Sequence, residues 1–215
     1  MAKEKLRAWI HEPVTALLGT RAKVAALRVL WRSDAALPYR EIVRRSGMAY
    51  RSIDLAVGEL TSAGLLHELE GGRERRVQLN SGHRLAPAIS ALMQSEADYF
   101  AALRVELRTT AEACRRVGLL GAAIIGPVAR REEVLGEPLD IAIFVNEAAD
   151  ASRCRAAFEA AADAIVARFG VQLKLVVYDL RSARTMWRTR TAAAERSVRE
   201  SELLAGTSLA SLLES

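Results

Sequence analysis

Between residues 38 and 80 the chain carries an order of helix breaks and apolar spacings that few small folds can satisfy. Pro38 suits the first turn of a helix, where a missing N–H costs nothing, and PYREIVRRSG then turns Ile42 and Val43 inward before Ser46-Gly47 breaks the helix. A tight turn through Met48 leads into AYRSIDLAVGELTSAG, where Ile53, Val57 and Leu60 recur at i, i+4 and i+7 as one buried stripe. Tyr50, Arg51 and Asp54 point away from that stripe, and Gly64 ends the helix. The segment LLHELE turns through Gly71-Gly72 into RERRVQLN, a two-strand ribbon whose tip carries Arg73, Glu74 and Arg75.

Short helix, glycine turn, amphipathic helix and basic hairpin, in this order, resemble the winged helix-turn-helix domains of MarR/ArsR-type regulators. The words that carry the resemblance are REIVRRSGMAYRSIDLAVGELTSAGLL and the hairpin after it. It implies that the second helix enters the major groove of double-stranded DNA and that the hairpin lies along the backbone or minor groove. Base contacts would then come from Ala49, Tyr50, Arg51, Ser52 and Asp54, because the N-terminal end of a recognition helix meets the base edges. Arg73, Arg75 and Arg76 would grip phosphates. The alternative use of the same fold is protein interaction, with a solvated basic hairpin.

Charge separates the two halves. Residues 1–85 hold fifteen Lys/Arg against nine Asp/Glu, net +6, while residues 86–215 hold sixteen against seventeen, net −1. A basic half joined to a near-neutral half suits a DNA-binding module fused to a separate domain, since neutralising phosphates supplies most sequence-independent affinity. At 215 residues, 51% of them hydrophobic, the chain is long enough for two domains with real cores. Cys114 and Cys154 stand isolated, with no CxxC, and His11, His67 and His83 are far apart, so neither a disulfide framework nor a metal site is expected. No basic-then-apolar leader opens the sequence, and the longest apolar run, LLGAAIIGPVA, falls short of the ~18 residues of a membrane span. A soluble cytoplasmic protein with no membrane partner is the expectation.

A long helical pattern runs from His83 to about Arg116, with Pro87 in its first turn and Leu85, Ile89, Leu92, Met93, Phe100, Leu103 and Leu107 recurring at three and four. Its stripe would either pair with a second copy in a homodimer, as two DNA half-sites require, or pack on the C-terminal domain. Ahead of the winged helix, LRAWIHEPVTALLG is expected to be a covering helix, followed by the helix RAKVAALRVLW.

The C-terminal half reads as α/β. LLGAAIIG, LDIAIFV and VQLKLVVYD are apolar runs of strand length, and ASRCRAAFEAAADAIVARFG is a helix ended by Gly170. Strand, loop, strand, helix, strand and further helices resemble the minimal nucleotidyltransferase fold. That family's signature is a strand ending in Gly-Ser, an Ala-Arg loop, then Asp-x-Asp on the next strand; here GPVARREEVLGEPLDIAIFV puts Gly126, Ala129, Arg130 and Asp140 in place. The tail SELLAGTSLASLLE resembles the family's closing helices.

The departures concern the catalytic groups themselves. In active members two Asp at i and i+2 share a strand face and, with a third carboxylate on the next long strand, hold two Mg²⁺ on the nucleotide phosphates. This chain has Asp140 but Ala142, and the third strand offers Gln172 and Lys174. Gly-Ser has become Gly126-Pro127, and Pro brings neither hydroxyl nor N–H. One carboxylate is a poor ligand set for two hard cations. Glu132, Glu133 and Glu137 sit in a loop, without a strand's fixed geometry, and Arg130 and Arg131 form either an anion site or a solvated turn.

The sequence therefore predicts an α+β protein: a winged helix-turn-helix over 1–84, a linking helix over 85–116, and over 117–215 a nucleotidyltransferase-like domain without catalytic residues, metal or cofactor. Gly126, Pro127, Arg130, Asp140, Ala142 and Lys174 mark its degenerate nucleotide site. If Asp140 and Lys174 lie on one face of neighbouring strands, a Lys–Asp contact replaces the metal's electrostatic role. The function expected is that of a sequence-specific DNA-binding transcriptional regulator whose second domain senses a small-molecule or protein effector, binds a partner or dimerises. The alternatives are an active nucleotidyltransferase and an antitoxin-like interaction protein.

Overall fold

A computed structural model describes residues 20–71 and 74–214 of the chain, apart from the side chains of residues 70 and 71. The covering helix expected over LRAWIHEPVTALLG, and Arg73 at the hairpin tip, lie outside the described residues. The chain divides into two compact units, one running to Asp98 and the other starting at Tyr99.

In the first unit, α1 (Arg21–Trp31) buries Val24, Ala26, Leu27 and Leu30. β1 (Leu37–Pro38) pairs antiparallel with the later hairpin, Leu37 opposite Val77. Pro38 ends this strand with φ −59 and ψ 142, and helix α2 (Tyr39–Ser46) begins one residue after it. The proline thus serves a sheet edge, where its missing N–H is also harmless, and not the helix's first turn. Gly47 closes α2 in the left-handed region at φ 65, which a side chain would resist. α3 (Tyr50–Ser62) buries Ile53, Ala56 and Val57, with Leu60 packed partly against the same core. β2 (Leu66–Gly71) and β3 (Glu74–Leu79) form the hairpin, registered from Leu66–Leu79 to Gly71–Glu74, and the small sheet runs β1-β3-β2. Three helices against a hairpin with a short third strand make this unit a winged helix.

Helix α4 (Ala86–Cys114) is followed by a 3-10 turn, Arg115–Val117. Leu85 lies before it and is 57% exposed, so it does not join the predicted stripe. Met93 is buried in the first core, with Ile89 and Leu92 beside it. Glu96 is buried there too and receives both Nε (2.6 Å) and Nη2 (2.8 Å) of Arg28, a two-pronged pair that fits the planar guanidinium. From Tyr99 onward the stripe continues through Leu103, Leu107, Ala111 and Cys114, all buried in the second core.

The second unit is a four-stranded mixed sheet in the order β6-β5-β4-β7, made of β4 (Leu119–Ile124), β5 (Leu139–Val145), β6 (Leu173–Asp179) and β7 (Glu202–Gly206). A short helix α5 (Gly126–Ala129) follows β4, and α6 (Ala148–Phe169) connects the parallel strands β5 and β6. Strand alternation sends Leu139, Ile141, Ile143 and Val145 to the face covered by α4 and α6, where Phe158, Ile165 and Phe169 meet them. Asp140, Ala142 and Phe144 take the other face, under α7 (Leu180–Trp187), α8 (Ala192–Arg199) and α9 (Leu209–Glu214).

One part of the tail departs from expectation: ELLAG is strand β7, and only Leu209–Glu214 is helical. Gly206 and Gly121 are register partners, and an added Cβ on either would come within 2.2 Å of a backbone carbonyl, Leu120 O or Thr207 O. The two glycines let β7 close on β4. The third strand also starts later than its apolar run: Gln172 precedes β6 and accepts the Leu139 N–H through its backbone carbonyl at 2.8 Å. Cys114 and Cys154, isolated in the sequence, are both buried in this second core.

Candidate functional site

The residues expected to meet DNA bases gather at the start of α3. Ala49 is the N-cap, and its carbonyl accepts the N–H groups of Ser52 and Ile53. Its methyl side chain offers no capping oxygen, so the first N–H groups of α3 have no side-chain acceptor there. Upstream, the Ser46 hydroxyl accepts the Met48 N–H at 3.3 Å, which holds the turn that aims α3. Tyr50 is 61% exposed and its ring leans on Tyr39, centroid to centroid 5.3 Å. Arg51 is exposed, and among the described residues no carboxylate lies within ion-pair distance of it. Leu55, one turn further on the same side, is 60% exposed. Sequence reasoning passed over Leu55; its signal was an apolar residue standing off the buried stripe.

Asp54 and Arg75 are engaged inside the unit. The Tyr39 hydroxyl donates to Asp54 Oδ1 at 3.1 Å, and Arg75 Nη1 lies 3.7 Å from the same oxygen. Arg75 also donates to both oxygens of Glu68, Nη2 at 2.5 Å and Nε at 3.1 Å, while its guanidinium sits over the Tyr39 ring, 5.3 Å from the centroid. Burial, the hydrogen bond to Asp54 and that residue's charge together raise the Tyr39 phenol above its ordinary value. Arg76, the next residue along β3, belongs to the opposite face and is exposed with no carboxylate partner among the described residues.

The neighbouring arginines are paired as well. Arg40 reaches Glu74 at 2.9 Å, and Glu41 receives Arg44 and Arg45, both at 2.5 Å, which hold its carboxyl well below the usual range, at about 2. Pairs this exposed are weak because water screens them, so a phosphate can compete for the guanidinium. Arg51 and Arg76 need no such exchange.

In the second unit, β5 and β6 place Asp140 opposite Lys174, with Ala142 opposite Val176. Lys174 Nζ lies 3.2 Å from Asp140 Oδ1, an ion pair whose approach falls outside hydrogen-bonding geometry. Asp140 Oδ2 rests against Gly126, where an added Cβ would come within 2.8 Å of it; Gly126 also has φ 73. Pro127 stands in the first turn of α5, and its carbonyl accepts the N–H groups of Arg130 and Glu132. Arg130 Nε is 2.8 Å from Glu132 and 3.8 Å from Glu200, and Arg131 takes the left-handed region at φ 59. Of the loop acids, Glu132 thus faces Arg130, Glu133 is buried, and Glu137 accepts the Val134 N–H at 3.4 Å. Ala142 is buried among apolar neighbours. Among the described residues no cluster of three or more Asp, Glu, His or Cys side chains is placed to share a metal ion, and no helix is long and apolar enough to cross a membrane.

No protein-family model matches this chain, and no curated protein matches it significantly. Among solved structures, two MarR-family transcriptional regulators from Silicibacter pomeroyi are similar to part of it. One is 23% identical with a TM-score of 0.33, the match covering 41% of this chain and 62% of the regulator. The other is 21% identical with a TM-score of 0.34, the match covering 41% of this chain and 65% of the regulator. The match therefore spans less than two thirds of either regulator's length.

Proposed function

We propose that this chain is a sequence-specific DNA-binding transcriptional regulator, with a winged helix that reads duplex DNA and a nucleotidyltransferase-like second unit used for sensing or interaction. The observation that carries the reading is Arg51: an exposed guanidinium at the N-terminal end of α3, free of internal carboxylates among the described residues while those of α2 and Arg75 are paired. A recognition helix presents that end to the base edges, and an arginine there can donate two parallel hydrogen bonds to guanine O6 and N7. Ala49, Tyr50 and Ser52 complete the base-facing end. Arg76, with Arg73 and a released Arg75, supplies phosphate contacts, and binding as a dimer would match two half-sites.

For the second unit the reading rests on charge. Asp140 faces a lysine where active nucleotidyltransferases gather further carboxylates, so the face is electrostatically closed without metal. Selection of bound duplexes from random sequence tests the regulator reading, followed by titration of the selected site and a scrambled one. Arg51→Ala should weaken the selected site by ~1–3 kcal/mol and relax base preference, with little effect on the scrambled duplex. Equal loss on both duplexes would remove the base-reading role, and failure to enrich any sequence would remove the regulator reading.

A further inference from the structure

The same sheet face that carries Ala142 opens into a cavity of about 520 Å³, within the roughly 300–1,000 Å³ range of small-molecule sites. Its floor is Ala142 and Phe144 of β5 with Val176 and Tyr178 of β6, and α7 and α8 wall it with Trp187 and Val198. The space exists because short side chains line it where longer ones would fill it: Ala142 and Ala183 are buried, and Ala194 stands at the rim. The pocket opens to solvent, so its mostly apolar lining meets water unless a ligand covers it.

Its polar groups are few. Tyr178 and Ser197 line it and carry hydroxyls with no hydrogen-bond partner among the described residues. Thr189 and Thr191 also line it, but their hydroxyls are committed to Met186 O and to the Ala194 N–H. The cation in the lining, Arg190, stacks over the Trp187 ring at 4.5 Å, donates to the Trp187 carbonyl, and lies 3.9 Å from Glu195. One half-neutralised guanidinium cannot balance a triphosphate, whereas three aromatic walls and two open hydroxyls match a ring.

We propose that this cavity is the binding site of an apolar, ring-bearing small molecule of low charge, held against Phe144, Tyr178 and Trp187 and hydrogen-bonded by Tyr178 and Ser197. Its role as the regulator's sensing site rests on the reading proposed above; occupancy of the cavity does not.

The test is a fluorescence titration of the full chain with 8-anilinonaphthalene-1-sulfonate, a ring-bearing probe with one charge. The expected result is one saturable site per chain, not displaced by ATP, and bound about tenfold more weakly by Ala142→Phe, which fills the floor. Ala194→Trp closes the mouth from an exposed helical position and should weaken binding similarly, so the test stands even if Ala142→Phe misfolds; circular dichroism and thermal melts identify folded variants. Non-saturable binding, full displacement by ATP, or unchanged affinity in folded Ala194→Trp would overturn the proposal. Repeating the DNA titration with the probe bound keeps the two readings apart: probe binding without an effect on DNA leaves the site and removes the sensing role.

Discussion

Lys174 Nζ stands 3.2 Å from Asp140 Oδ1, each on the strand position directly opposite the other in the parallel pair β5–β6. On the nucleotidyltransferase-like reading proposed above, this cation from the neighbouring strand would take the electrostatic place of a divalent metal. The lysine is 64% exposed and the aspartate 20%, so the pair contributes at most ~1 kcal/mol to stability, and its consequence is for chemistry.

The purified chain is accordingly expected to transfer no nucleotide. Incubation with labelled ATP, GTP, CTP or UTP and Mg²⁺ or Mn²⁺ should leave protein, RNA and small molecules unlabelled. Metal-dependent labelling that disappears in Asp140→Ala would show that the single carboxylate suffices.

Arg75 donates to both oxygens of Glu68, so Glu68 competes with phosphate for it. Glu68→Gln should release the guanidinium and strengthen DNA binding, steepening the dependence of log K on log salt by up to about 0.9 for one added phosphate contact. Titrations from low to moderate salt check this. An unchanged slope would mean that Arg75 never reaches the backbone.

Tyr39 supplies a pH dependence whose sign follows from its raised pKa. Burial, then the Asp54 hydrogen bond and charge, keep the phenol protonated in the folded chain above the pH where the unfolded chain ionises, near 10. The resulting stability is fully present below that pH and is lost as pH rises toward the folded value. Urea unfolding from pH 8 to 11 should show wild type ahead of Tyr39→Phe by ~0.5–1.5 kcal/mol at pH 8, with the gap shrinking above pH 10. A gap that widens with pH would contradict the assignment.

Cys114 and Cys154 are buried against each other; burial raises both thiols, that of Cys154 to about 12. At pH 8 neither offers an appreciable thiolate fraction, and both should react slowly with Ellman's reagent in the native chain, then completely in urea. Rapid labelling of a native thiol would show that the core opens on the assay's timescale.

Features that depend on neighbours a few residues apart were legible in the sequence: the Gly47 turn, the Ile53–Val57 stripe, the hairpin over 66–79 and the Gly170 helix end. Helical and strand periods differ, and glycine marks where the chain must reverse. Strand alternation extended this to Asp140 and Lys174, because once two strands are neighbours each residue's face is set. For residues 202–206 the pattern was insufficient: a short apolar run suits strand and helix alike, and a close approach of Gly206 to Gly121, across 85 positions, chose the strand. Nor could spacing reveal that Asp54 and Arg75 meet over Tyr39, that Cys154 packs on Cys114, or that alanines from β5, α7 and α8 leave one shared cavity. The sequence by itself determined which segments become helices, hairpin and most strands, because those depend on local sterics and period. Only the tertiary structure decided which arginines stay free and which side chains enclose a space, because charge pairing and packing depend on distances between residues far apart in the chain.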